Sequence, residues 1–153
     1  MPDTTDPHDL GRFVAAQAGE LGPGRSDYSI ALAEVRTGEK VTHWMWYVFP
    51  QLAGLGLSAM AQRFAIRSRD EATAYLAHPV LGPRLVEIAE AALAVPDQSA
   101  FDIFGTPDDL KLKSCATLFA AVSPGGSAFH RVLDRFFGGE EDEKTLRLLA
   151  RAG

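Results

Sequence analysis

Apolar residues along this chain recur at intervals of three and four, the spacing that places them on one face of an α-helix. Tyr28, Leu32 and Val35 form one such stripe, Leu81, Leu85, Ile88 and Ala92 a second, and Phe129, Val132, Leu133 and Phe136 a third. Start and stop signals frame these stretches. Asp6-Pro7 reads as a cap followed by proline, and Gly19 ends the helix carrying Phe13 and Val14. Ser26-Asp27 opens the next helix and Gly38 closes it. Ser58 caps a short helix with Met60 and Phe64, and Ser68-Arg69-Asp70-Glu71 has the form of a capping box. Pro79 and Pro83 mark the first turn of the helix that Pro96 ends. Ser99 starts a single turn that Gly105 stops, and Thr106-Pro107-Asp108-Asp109 begins a long helix whose inner face reads Lys111, Leu112, Cys115, Leu118, Phe119 and Val122. Gly138-Gly139 precedes a short terminal helix with Leu146 and Leu149.

The pattern predicts an all-α or mainly α fold: one compact domain over residues 1–153, with about seven to nine short helices and loose ends at 1–6 and the extreme C-terminus. One segment resists assignment. His43-Trp44-Met45-Trp46-Tyr47-Val48-Phe49 is aromatic and apolar on every side, which suits a strand, while its neighbours suit helix. The expectation leans to helix, and burial is required either way because the segment has no polar face.

Composition narrows the function classes. With 46% hydrophobic residues the chain has the apolar content of a folded domain, and its net charge of -5 argues against nucleic-acid polymers and anionic membrane surfaces, which attract positive proteins. The longest bulky apolar run spans Trp44 to Phe49, far short of the roughly 20 residues of a membrane-crossing helix. Cys115 is the only cysteine, which excludes an intrachain disulfide and a cysteine-based zinc site and suits a reducing cytoplasm. The N-terminus is polar and lacks the basic start and apolar run of a signal peptide.

Candidate chemistry is sparse. His43 is the one side chain of the aromatic run that titrates near neutral pH, as an acid or base or simply as a partner of a backbone carbonyl. Trp44, Trp46 and Tyr47 can floor a pocket for a flat ring or can all be core. Gln51 follows the proline break at the mouth of this run. Gly54-x-Gly56-x-Ser58 offers backbone N–H groups to a phosphate or merely turns, and Arg63 and Arg67 make a basic pair one helical turn apart. Lys111 lies in register with Cys115 and Leu118 on an apolar stripe, so it either snorkels to the rim or lines a site, with Asp108 in pairing range. Asp108 and Asp109 are candidate proton carriers or simple complements of the helix dipole. Cys115 reads as a small core hydrophobe. The histidines lack zinc spacing, and no P-loop, nucleophile elbow or cofactor motif is present.

Three strings closely resemble one family: Thr42-His43-Trp44-Met45-Trp46-Tyr47-Val48-Phe49-Pro50-Gln51-Leu52, Ala74-Tyr75-Leu76-Ala77-His78-Pro79-Val80-Leu81-Gly82-Pro83-Arg84-Leu85, and Phe104-Gly105-Thr106-Pro107-Asp108-Asp109-Leu110-Lys111-Leu112-Lys113-Ser114. They occur in the order and approximate spacing of DUF1810, a mainly helical family without assigned function, and the resemblance spans nearly the whole chain. Cys115-Ala116 departs from the Ser-Met expected there. More remotely the chain is similar to the NADAR domain group, which implies nucleotide or ADP-ribose chemistry and N-glycoside hydrolysis. Residues and resemblance together give two expectations. One is an enzyme that binds a small phosphorylated, ring-containing metabolite, with Trp44 or Trp46 stacking, Gln51 reading an edge, Lys111 with Arg63 or Arg67 holding the anion, and His43 with Asp108 or Asp109 moving protons. The other is a non-catalytic small-ligand or protein-binding module.

Overall fold

The computed structural model describes residues 6–152 and is helical almost throughout. In chain order the helices are α1 (Gly11–Gln17), α2 (Tyr28–Thr37), α3 (Met45–Val48), α4 (Ala59–Arg63), α5 (Arg69–Ala77), α6 (Leu81–Ala94), α7 (Ala100–Phe104), α8 (Asp108–Ala121), α9 (Ala128–Phe137) and α10 (Glu143–Ala152). These are ten helices among the described residues, because the ambiguous aromatic segment resolves into the single turn α3. The expectations for residues 1–5 and 153 lie outside the described residues.

Short polar side chains start most of the helices as their positions foretell. Asp27, Ser58, Ser68, Ser99 and Ser127 each accept an N–H of the first turn, and Ser99 with Asp102 forms a complete capping box. Two starts differ from expectation. The Asp6 carboxylate does cap, accepting from the N–H groups of Leu10 and Gly11 at 2.7 and 2.8 Å, but α1 begins only at Gly11 because Asp9 adopts φ +53° and interrupts the run after Pro7. At Ser68, Glu71 supplies its N–H but not the reciprocal bond, since its carboxylate is taken by Arg12 and by the N–H of Arg67. The imidazole of His78 opens α6, its Nδ1 accepting from Val80 and Leu81 N–H groups at 3.1 and 3.2 Å.

The helices pack around α8, which touches α5, α7, α9 and α10, while α6 joins α2, α5 and α9. The α8 sequence suggests one inner face, yet Ser114, Ala116, Thr117 and Ala120 are buried as well, because α10 covers the far side and the Thr117 hydroxyl accepts from the N–H of Asp142. A chain of ring contacts runs through the core: Tyr47 to Phe64, Phe13, Tyr75, Phe119 and Phe129, with neighbouring centroids 5.1–5.6 Å apart. Each such pair adds about 0.5–1.5 kcal/mol beyond its buried area. At Gly82 a Cβ would fall 2.0 Å from the Leu76 carbonyl oxygen, so only glycine lets the start of α6 lie against the end of α5.

A buried cation holds the N-terminal half together. The Arg12 guanidinium donates to the carbonyls of His8, Asp9, Arg63 and Ala65 and pairs with Glu71 at 2.8 Å, with side chains only 7% and 2% exposed. It ties α1 to the end of α4 and the start of α5. Nearby, Leu52 and Ile66 form an isolated parallel bridge in which Ile66 donates to the Gln51 carbonyl at 2.8 Å. No helix among the described residues is long and apolar enough to cross a membrane.

Removing one partner of a buried pair strands the other charge. Arg12→Met is expected to lower unfolding free energy by about 3–5 kcal/mol in urea. Arg131→Ala, which breaks the exposed pair with Glu90, changes it by under about 1 kcal/mol. Equal effects would contradict the clamp.

Candidate functional site

The aromatic segment is positioned by one carboxylate. Glu34, near the end of α2, accepts from the Val41 and Thr42 N–H groups at 2.9 and 3.0 Å, from the Thr42 hydroxyl at 2.6 Å, and from the Trp44 indole N–H at 2.9 Å. Burial pushes its carboxyl pKa up, but these hydrogen bonds, led by those of Thr42, outweigh burial and hold it below the ordinary glutamate range. Trp44 is thereby locked into the core against Phe49 and Phe104, fully buried. The Tyr47 hydroxyl donates to the Ser26 carbonyl at 2.6 Å and also lies 3.1 Å from that of His43. Burial chiefly pushes its pKa up to about 12, so it keeps its proton at neutral pH.

With Trp44 and Tyr47 turned inward, the same turn presents Trp46, which is partly exposed, to a cavity of about 220 Å3. Its walls are Met45, Trp46, Phe49, Leu57, Ala61 and Phe64, and its polar lining includes Gln51, Ser58 and Lys111. Among the described residues the Gln51 side-chain amide has no hydrogen-bond partner, whereas the Ser58 hydroxyl accepts from the N–H of Ala61. A Cβ at Gly56 would meet that of Ala61 at 2.5 Å, so close packing accounts for this glycine.

Lys111 brings the cavity its charge. Its ammonium lies 5.6 Å from the Trp46 ring and 3.5 Å from Asp108. Asp108 is also held by Lys40 at 2.9 Å, whose nearly buried ammonium donates to the Thr42 carbonyl and stands 5.0 Å from the Trp44 ring. Two ammonium groups share one carboxylate, leaving a net positive charge at the mouth.

The other candidates fall elsewhere. His43 is exposed and lines a different cavity, with Gly22, Gly24, Arg25, Asp27 and Thr42. Asp109 accepts from the N–H of Leu110. Arg63 and Arg67 are exposed and absent from the cavity lining, with the Arg63 guanidinium 5.2 Å from the Phe64 ring. Cys115 is buried, which pushes its thiol pKa well up and leaves it a poor nucleophile. Sequence reasoning missed Glu34, Lys40 and Arg25. Glu34 precedes Val35 at the edge of a buried stripe, the only hint available, while Lys40, two residues after Gly38, and Arg25, next to Gly24, sit in loops and carry no periodic signal.

Fold and site define an all-α single-domain protein whose one-turn aromatic helix walls a small, apolar, lysine-bearing cavity. The chain belongs to the family described as "Protein of unknown function (DUF1810)", whose model matches residues 7–149. It is similar in structure to the conserved hypothetical protein Rv1873 from Mycobacterium tuberculosis, with 48% identity, 95% of this chain and 99% of that chain covered, and a TM-score of 0.88. No curated protein matches it.

Because the folded state lowers the Glu34 pKa, its contribution is complete above the ordinary glutamate range and is lost as pH falls through the depressed value. Glu34→Ala strands the buried Trp44 N–H and is expected to cost roughly 2–3 kcal/mol at neutral pH. Urea denaturation of wild type and Glu34→Gln should show a stability gap at neutral pH that narrows in acid. A gap independent of pH would contradict the assignment.

Proposed function

We propose that this protein is a cytoplasmic binding module for a small, anionic, ring-containing metabolite, held in the cavity beside Trp46. The observation that carries this reading is the convergence of Lys111 and the unpartnered Gln51 amide on aromatic and aliphatic walls. Apolar walls bury a ring, a few polar groups orient it, and a cation selects charge. A carboxylate and a phosphate are both served by an ammonium, so a phosphorylated ligand stays within this class.

Size favours a small ligand. At about 220 Å3 the cavity is below the roughly 300–1,000 Å3 of sites for larger molecules, which suits one ring with a charged substituent better than a whole nucleotide.

Binding without chemistry is better supported than N-glycoside hydrolysis. Such a cleavage needs a carboxylate or imidazole beside the reacting bond. Among the described residues no acidic or imidazole side chain lines this cavity, Asp108 is bridged to Lys40 and Lys111, and His43 belongs to the other cavity.

Thermal shift with benzoate, phenyl phosphate and neutral benzamide tests the reading. A ligand at about 100 times its Kd adds about 2.7 kcal/mol, which raises Tm by roughly 5–10 °C for a domain of this size. The anions should shift wild type and lose that shift in Lys111→Met. Benzamide matching benzoate, or a shift surviving in Lys111→Met, would overturn it.

A further inference from the structure

We propose that the Trp46 site is two-ended, with Arg25 as a second anion subsite, so that the ligand class is a ring carrying two anionic groups. This rests on the reading of the Trp46 cavity given above and names its ligand more narrowly.

The Arg25 guanidinium carbon lies 5.3 Å from the Trp46 ring centre, and the Lys111 ammonium lies 5.6 Å from it. The two cations belong to different cavities: Lys111 lines the one walled by Phe49 and Phe64, while Arg25 lines the one with Thr42 and His43. One aromatic ring is thus the common neighbour of both positive groups.

Arg25 has capacity to spare. Among the described residues it forms no salt bridge, and its one side-chain hydrogen bond goes from Nη1 to the Gly24 carbonyl at 3.1 Å. A guanidinium has five N–H donors in a planar fork suited to a carboxylate or phosphate. Gly22 and Gly24, at φ +86° and +85°, shape the loop that delivers it. The acid in the same cavity, Asp27, accepts from the N–H of Ile30 as the cap of α2. Its negative charge disfavours an anion deep in that cavity and favours one that reaches Arg25 from the Trp46 side.

Calorimetric titration of the full chain with matched pairs tests this: benzoate against isophthalate and terephthalate, and phenyl phosphate against 4-carboxyphenyl phosphate. At least one ligand with two anionic groups should bind ten-fold or more tightly than its partner with one. Arg25→Gln, with folding checked by circular dichroism, should bring that ligand down to the affinity of its one-group partner while changing the one-group partner less than two-fold. Arg25→Lys should restore part of the difference, and Lys111→Met should weaken both. A second-group advantage that survives in Arg25→Gln, or no advantage across the set, overturns the two-ended site while Lys111-dependent binding of the one-group ligands keeps the simpler reading. Finding no binding of any of these ligands to the wild-type chain that depends on Lys111 overturns both.

Discussion

Four hydrogen bonds converge on the carboxylate of Glu34, and the arrangement of the aromatic segment depends on them. Between the end of α2 and the start of α3 the chain must turn from a helix into a loop and back within a few residues. A loop's backbone N–H groups need partners when the chain is drawn against the core. One ionised side chain supplies two of those partners, orders Thr42, and anchors the indole N–H of Trp44. The Thr42 hydroxyl passes the order on, since it also accepts from the Ser26 hydroxyl at 2.6 Å, which joins this corner to the start of α2.

The division between core and site follows from that anchor. Once Trp44 points inward, a single helical turn sends Tyr47 and Val48 inward too and leaves Trp46 at the rim. The aromatic run is thus neither all pocket nor all core. The same corner recruits Lys40, whose amide donates to the Ile103 carbonyl at 2.7 Å and whose ammonium reaches Asp108. By satisfying Asp108 from the protein side, Lys40 leaves Lys111 only partly neutralised. A chain of net negative charge thereby keeps a positive group at one small opening.

Much of the fold was legible in the sequence, for a physical reason. Helix caps and apolar stripes are local signals, so Asp27, Ser58, Ser68 and Ser99 could be read directly, as could the stripe of Leu81, Leu85 and Ile88. The capping box at Ser68 was half wrong because a remote residue, Arg12, took the Glu71 side chain, and no local pattern encodes a partner so far away. The site was legible in part. Trp46, Gln51 and Lys111 do meet, whereas Trp44 turned to the core and His43 to another cavity. Helical register could tell that Lys111 pointed inward, but the split between Trp44 and Trp46 was decided by Glu34, ten positions before Trp44. Arg25 and Lys40 sit in loops, where periodicity carries no information about direction.

The two tryptophans offer the most direct check, because the chain has no others. Two indole N–H signals are expected in a proton–nitrogen correlation spectrum. That of Trp44, bonded to Glu34, should exchange slowly with solvent and stay in place when benzoate is added, while that of Trp46 should move progressively with benzoate. Rapid exchange at Trp44, or both signals moving together, would contradict the claim that Glu34 holds one indole in the core so that the other can meet a ligand.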